Sequence, residues 1–167
     1  MKEIYLTKDQ KTIIDDEVYD YISQWKWYCH KGYARRSRRK DESKETYPSE
    51  VIHMSREIWK LVGRVLPKGY ILDHINGDKL DNRLVNLRAC TQNENIWNTR
   101  LDKKSNSGYR GVHARPKHQP LRPYIAQIDI HGKRMFLGSF ENPVEAAQAY
   151  NEAAKKYHGE FAILNDV

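Results

Sequence analysis

Cysteine is nearly absent from this chain, and the two that occur are far apart. Cys29 and Cys90 form no Cys-x-x-Cys motif, which argues against a structural zinc site and against a disulfide framework, and suits a reducing compartment. Long hydrophobic runs are missing as well, so no segment reads as a membrane span. The opening Met1-Lys2-Glu3-Ile4-Tyr5-Leu6 is too short and too charged for a signal peptide. Internal repeats are lacking too. With 39% hydrophobic residues and a mean hydropathy of −0.88, core material is scarce, and 167 residues suffice for one compact domain or two small ones.

Eleven Tyr and four Trp supply much of what can be buried. Twenty-nine Lys and Arg against 22 Asp and Glu leave a formal charge of +7, with a pI near 9.3. That balance favours a polyanionic partner, nucleic acid foremost.

Along the chain, Ile4 to Leu6 and Thr12 to Ile14 read as short strands about a polar turn at Lys8-Asp9-Gln10. Asp15-Asp16 caps a short helix in which Val18, Tyr19 and Ile22 recur at helical spacing. A strand-rich stretch runs from Trp25 through Tyr33. The run Arg35, Arg36, Arg38, Arg39 and Lys40, which reads equally as a source of phosphate contacts or as a solvated loop, then gives way to Asp41-Glu42-Ser43-Lys44-Glu45, a mixed-charge loop. Val51 to Met54 reads as a strand, and Arg56 to Val62 as a helix with Ile58, Trp59 and Val62 inward. The polar, basic stretch Lys103 to Ser107, ending on Gly108, is the expected domain boundary. Beyond it Tyr109 to His113, Tyr124 to Ile130 and Lys133 to Leu137 alternate like three strands, and Asn142-Pro143 starts an alanine-faced helix.

Asp73 and His74 stand side by side, followed by Asn76-Gly77-Asp78, Asp81-Asn82, Asn86-Leu87 and Asn95. The Asn-Gly pair marks a tight turn after a strand. A carboxylate can hold a hard divalent cation, which takes only one or two oxygens from protein, and Asn95 offers an amide oxygen. His74, with an unperturbed pKa of about 6.5, is then available as a general base. Asp78, Asp81 and Asn82 read as turn and cap residues, Cys90 as core and His30 as exposed.

From Asp73 to Asn95 this block resembles the HNH nuclease motif. The resemblance implies two strands and a helix clasping one divalent cation, Mg²⁺ or Mn²⁺. It places Asp73 and Asn95 as metal ligands, His74 as the base, and Asn86 as the residue that braces the loop and helps to orient His74. Where many relatives carry a His-Arg pair after the preceding strand, this chain has Ser55-Arg56, with His53 two residues early; Arg56 is expected to contact DNA.

A second block runs through Gly108-Tyr109-Arg110-Gly111-Val112, Tyr124-Ile125-Ala126-Gln127-Ile128, Gly132-Lys133-Arg134, Leu137-Gly138-Ser139-Phe140 and the Ala146 to Ala154 helix to Asn165. It resembles the Apetala/ethylene-response-factor DNA-binding domain. The resemblance implies DNA contacts from Arg110, His113 and Arg115 on the first strand, Gln127 on the second, and Arg134 and Phe136 on the third. His113, Gln127 and Phe136 replace residue types common in that family, and Lys117-His118-Gln119-Pro120 stands where a Trp is usual.

The expected protein is therefore α+β: an N-terminal HNH (ββα-metal) nuclease domain over 1–102, a linker at 103–107, and over 108–167 a three-stranded antiparallel sheet packed on one helix. Its expected activity is metal-dependent, site-recognising cleavage of double-stranded DNA of the homing type, nicking one strand as a cytoplasmic monomer in a bacterial or phage-infected cell. No obligate protein partner and no membrane are expected. The alternative is a sequence-specific DNA-binding regulator with a vestigial nuclease domain.

Overall fold

The computed structural model describes residues 1–43, 50–98, 106–115 and 122–167. Residues 44 and 45 of the mixed-charge loop, 103–105 of the expected linker and the 117–120 loop lie outside the described residues. The described chain is mixed α/β, with several small sheets and four α-helices. It divides into two compact units, Met1–Thr91 and Gln92–Val167.

In the first unit, β1 (Lys2–Tyr5) and β2 (Lys11–Ile14) form an antiparallel hairpin. Its turn is where the polar run predicts it, with Lys8 and Asp9 at φ 66° and 54°. The helix α1 (Asp16–Ile22) buries Val18 and Ile22. Asp15 occupies its N-cap position but makes no side-chain cap. Its carboxylate instead accepts from Leu84 N at 2.7 Å, so it ties the helix start to the segment after the motif turn.

Three strands, β3 (Tyr28–His30), β4 (Tyr33–Ser37) and β5 (Val51–His53), make an antiparallel sheet. β5 runs directly into α2 (Met54–Leu61). The pair β6 (Ile71–His74) and β7 (Leu87–Cys90) sets Asp73 opposite Arg88 and His74 opposite Leu87. One core joins hairpin, helices and sheets: Ile4, Leu6, Ile14, Val18, Ile22, Trp27, Ala34, Met54, Ile58 and Leu87. Cys90 is fully buried and His30 exposed, as expected.

Arg36 fits neither reading of the 35–40 run, as a source of phosphate contacts or as a solvated loop. It lies on β4, 2% exposed, because alternation along the strand turns it inward. Its guanidinium meets Glu42 through two bonds of 2.7 and 2.6 Å, reaches Glu57 at 3.2 Å, and lies 4.0 Å from the Trp25 ring centroid. A buried guanidinium requires such anionic partners.

The second unit begins with α3 (Gln92–Trp97). The division falls between Thr91 and Gln92, ahead of the 103–107 stretch. The physical reason is Trp97, which is buried and stacks on His158 at 4.4 Å with ring planes 10° apart, and meets His131 edge-on at 5.2 Å. The strands β8 (Val112–Ala114), β9 (Tyr124–Ile130) and β10 (Lys133–Phe140) form an antiparallel sheet in that spatial order, and α4 (Pro143–His158) packs on one face. Asn142 caps α4 by accepting from Val144 N at 2.8 Å. Ala146, Ala147, Ala153 and Ala154 are buried on the helix face with Tyr150. Gly111 admits no side chain: at φ +70° a Cβ would overlap the Tyr150 ring and lie 2.7 Å from Gln127 O.

Candidate functional site

β6 delivers Asp73 and His74 into the interior, at 7% and 5% exposure. The chain then turns sharply. Gly77 N bonds back to His74 O at 2.8 Å, with Gly77 at φ 74°, a conformation that favours glycine. Asn76 Oδ1 accepts from Asp78 N, and Asp78 Oδ1 from Leu80 N, at 2.8 and 2.9 Å. Asp78 is thus the turn residue its type suggests. Asp81 is clasped by Arg83 at 2.7 and 2.6 Å and by Asn76 at 2.9 Å; the Arg83 bonds hold its carboxyl below the usual range.

Asn86 braces this loop from inside. Its side chain accepts from Asn76 N at 3.0 Å and donates to Asp81 O at 2.7 Å, and its own carbonyl accepts from Ile75 N. The imidazole is met by Asn82: His74 Nε2 lies 3.1 Å from Asn82 Oδ1. Asn82, expected as a turn residue, is 1% exposed and so belongs to the site. Its Nδ2 donates to Thr12 Oγ1 at 2.8 Å. Asp81-Asn82 beside the motif gave a signal for Asn82; Thr12, seventy residues distant in sequence, gave none.

The Asp73 carboxylate accepts from Arg88 Nε at 3.0 Å, the cross-strand neighbour on β7. Register, which a lone sequence does not fix, brings this pair together. Burial pushes the His74 pKa down, while Asn82 and the carboxylates of Asp73, Asp78 and Asp81 oppose the shift. The net direction leaves the ring neutral at cellular pH, able to accept a proton.

Tyr33 packs against His74 at 6.2 Å and His53 at 5.5 Å between ring centroids. Arg35 and Lys79 lie over the Tyr33 ring at 5.4 and 4.6 Å. His53 is pushed down to about 4 by burial and by Arg35, Arg56 and His74. Ser55 is buried and Arg56 exposed in the first turn of α2. Two imidazoles thus sit in a cationic neighbourhood suited to a phosphate. Among the described residues no three His, Cys, Asp or Glu side chains converge as an all-protein metal cage would need. Asn95 lies half-buried on α3, in the second unit.

On the sheet of the second unit, Ala126, Ile128 and Val112 turn towards α4. Register then puts His113 opposite Ile125, Phe136 opposite Gln127, and Arg134 opposite Asp129 on the other face. Arg134 pairs loosely with Asp129 at 3.4 Å, and Phe136 is 58% exposed. Arg115 reaches Ser139 Oγ at 3.1 Å, opposite Ile125 on the same face. Arg110 differs from the expected outward base reader: Nε donates to Tyr150 OH at 2.8 Å and Nη2 to Trp97 O at 2.9 Å. Its guanidinium holds the unit together.

A family described as HNH endonuclease matches residues 53–96. Protein 3.8 of Escherichia phage T7 is 30% identical over 106 residues, 64% of this chain and 84% of that protein. An uncharacterised HNH endonuclease of Acanthamoeba polyphaga mimivirus is 29% identical over 149 residues, 87% of this chain and 70% of the relative. A rice protein named dehydration-responsive element-binding protein 2A is 40% identical over 63 residues, 36% of this chain but only 22% of its own length. No solved structure matches the chain. No described helix is long and apolar enough to cross a membrane. HNH nucleases generally use a divalent metal ion. The chain carries an HNH endonuclease domain and is a nuclease, an enzyme that hydrolyses phosphodiester bonds.

Proposed function

We propose that this nuclease is a site-recognising endonuclease of the homing type, which nicks one strand of double-stranded DNA as a monomer. The observation that carries the reading is the buried Asp73-His74 pair, with Asn82 on the imidazole and Arg88 on the carboxylate. A carboxylate held in place beside a neutral, oriented imidazole suits a hard cation and a general base respectively.

Asp73 and Asn95 are the proposed ligands of one Mg²⁺ or Mn²⁺. Carboxylate and amide oxygens are the donor types such a cation takes, and Mg²⁺ keeps most of its waters and takes one or two protein oxygens. When bound, the cation would stabilise charge on the phosphate and on the departing 3′ oxygen. His74 takes the proton of the attacking water, a contribution typically worth on the order of 10² to 10⁴ in rate. Asn86 keeps the loop rigid behind it. Arg56, on the exposed start of α2, contacts the DNA backbone.

The second unit is proposed as an Apetala/ethylene-response-factor-type reader. His113, Arg115, Gln127, Arg134 and Phe136 on the sheet face away from α4 would meet the major groove; Arg110 supports that face from within. The partial similarity to the rice protein supports this part. Supercoiled plasmid incubated with Mg²⁺ or Mn²⁺ tests the reading: nicked circles should appear, and His74→Ala should abolish them while DNA affinity stays nearly intact. Plasmid that remains closed, or a His74→Ala variant that cuts normally, refutes it.

A further inference from the structure

The relay behind His74 has a fixed polarity, and it starts at a backbone carbonyl. Thr12 Oγ1 lies 2.6 Å from Leu80 O and 2.8 Å from Asn82 Nδ2. A carbonyl only accepts, so the single hydroxyl proton of Thr12 is committed to Leu80, and the Thr12 oxygen must accept from Asn82. The amide nitrogen of Asn82 therefore faces Thr12 and its oxygen faces His74. An oxygen 3.1 Å from Nε2 requires a proton on Nε2. A neutral imidazole carries one N–H, so its lone pair is on Nδ1.

Thr12 and Asn82 are 0% and 1% exposed, which denies water the chance to substitute for either bond. The strand bearing Thr12 is also stitched to the same segment. Ile13 N donates to Leu80 O at 2.9 Å, and Asn82 N to Ile13 O at 2.8 Å. The N-terminal hairpin, outside the 53–96 family match, thereby holds the catalytic ring.

We propose that Thr12, acting through Asn82, fixes His74 as the Nε2–H tautomer and so makes Nδ1 the atom that accepts the proton of the attacking water. The inference rests on the reading of His74 as the general base. As the water O–H bond breaks, its proton passes to Nδ1, the oxygen bonds to phosphorus, and the P–O3′ bond breaks with its electron pair on the 3′ oxygen. The resulting imidazolium keeps its Nε2–H bond to Asn82, whose oxygen faces the new charge. Both Thr12 and Asn82 are positioning residues.

The test uses the full ¹⁵N-labelled chain without DNA or metal, at a pH where the ring is neutral, with His74 assigned by comparison with His74→Gln. Long-range ¹H–¹⁵N correlations should show wild-type His74 as Nε2–H. In Thr12→Val the Asn82 amide can turn over, so the ring should shift towards Nδ1–H. Nicking kcat should fall at least tenfold with KM and DNA affinity unchanged, and Thr12→Ser should restore both readouts. Asn82→Asp, which keeps an acceptor, should retain the wild-type tautomer and keeps the test decisive if Thr12→Val fails to fold. A wild-type Nδ1–H tautomer overturns the proposal. So does a shifted tautomer with wild-type kcat, or a lost kcat with an unshifted one. Wild type that shows Nε2–H yet cuts no DNA upholds the relay and overturns the nuclease reading instead.

Discussion

His53 and His74 pack against one ring: the Tyr33 centroid lies 5.5 Å from the first imidazole and 6.2 Å from the second. Adjacent strands bring this about, since Arg35 and His53 pair across β4 and β5, two residues along β4 from Tyr33. The family's His-Arg pair is replaced by Ser55-Arg56, and Ser55 points inward. His53 returns an imidazole to the neighbourhood of His74 from a different backbone position. Around it stand Arg35 and Arg56, with Lys79 over Tyr33. That concentration of positive charge would attract a phosphate.

The same charges and burial make His53 a source of acid sensitivity. Its folded pKa is about 4 against an ordinary 6.5, so between those values the unfolded chain binds more protons than the folded one. Stability is therefore full above about pH 6.5 and declines as pH falls towards 4. At 1.36 kcal/mol per unit the loss is at most about 3 kcal/mol for this half-buried group. His74 and His158, both lowered by burial, act in the same direction. Denaturant unfolding from pH 7.5 to 4 checks this: His53→Gln should have a shallower pH slope than wild type. Parallel slopes would remove His53 from the account.

Arg88 offers a way to detect a cation at Asp73 without any cleavage assay. The two side chains are 11% and 8% exposed, and removing one partner of a buried pair typically costs about 3–5 kcal/mol. Arg88→Met should destabilise the protein by a few kcal/mol, because the buried Asp73 carboxylate loses its bond from the Arg88 guanidinium. If Asp73 ligates a cation, millimolar Mg²⁺ should then raise Tm more in Arg88→Met than in wild type. The gain should vanish in Arg88→Met combined with Asp73→Ala. Equal Mg²⁺ responses in all three proteins would dismiss Asp73 as a ligand.

What the sequence conveyed follows physical range. The Asn-Gly turn, the alanine face of α4, the Asn142 cap and the hairpin about Lys8-Asp9 are local, and each was legible from spacing and residue type. Asp73 and His74 were legible because they are neighbours in sequence. Asn82 was visible but misread: its type suits a turn, and only the fold shows that its amide is buried against His74. Thr12 and Arg88 depend on strand pairing, and α3 depends on Trp97 finding His158. None of those contacts leaves a periodic trace. Arg36 lies within a basic run, and such a charge looks solvated until anionic and aromatic partners from elsewhere enclose it; the outward placing of Arg110 comes from the resemblance alone, which carries no sign of its bonds to Tyr150 and Trp97.

Arg36 allows that distinction to be measured. Glu57 is 3% exposed and accepts from both Arg36 and Tyr21 at 3.2 Å. Glu57→Gln should therefore cost about 3 kcal/mol by chemical denaturation, with cutting per folded molecule unchanged. The Arg36 bonds to Glu42 lower that carboxyl's pKa, so their contribution holds above the ordinary Glu pKa and is lost as pH falls through the depressed value. If Arg36 were a phosphate contact, Arg36→Met would make the slope of log K against log salt less steep by about 0.9. An unchanged slope with reduced stability is expected.

The sheet face of the second unit separates reading from holding. Phe136 and Arg134 are exposed on it, neighbouring Gln127 and Asp129 across β9, whereas the Arg110 guanidinium bonds to Tyr150 and Trp97. Arg134→Ala should weaken DNA binding while leaving the melting temperature nearly unchanged. If Arg134 meets a phosphate, all sequences weaken alike and the salt slope becomes less steep by about 0.9; if it meets a base edge, discrimination at that base falls by roughly 1–3 kcal/mol. Arg110→Ala should instead lower stability first, with DNA binding lost only as the sheet loosens. Binding titrations at two salt concentrations, paired with thermal melts, distinguish the two residues. Arg110→Ala with full stability and lost base preference would make it a reader after all, and would require its guanidinium to leave Tyr150 and Trp97 on binding.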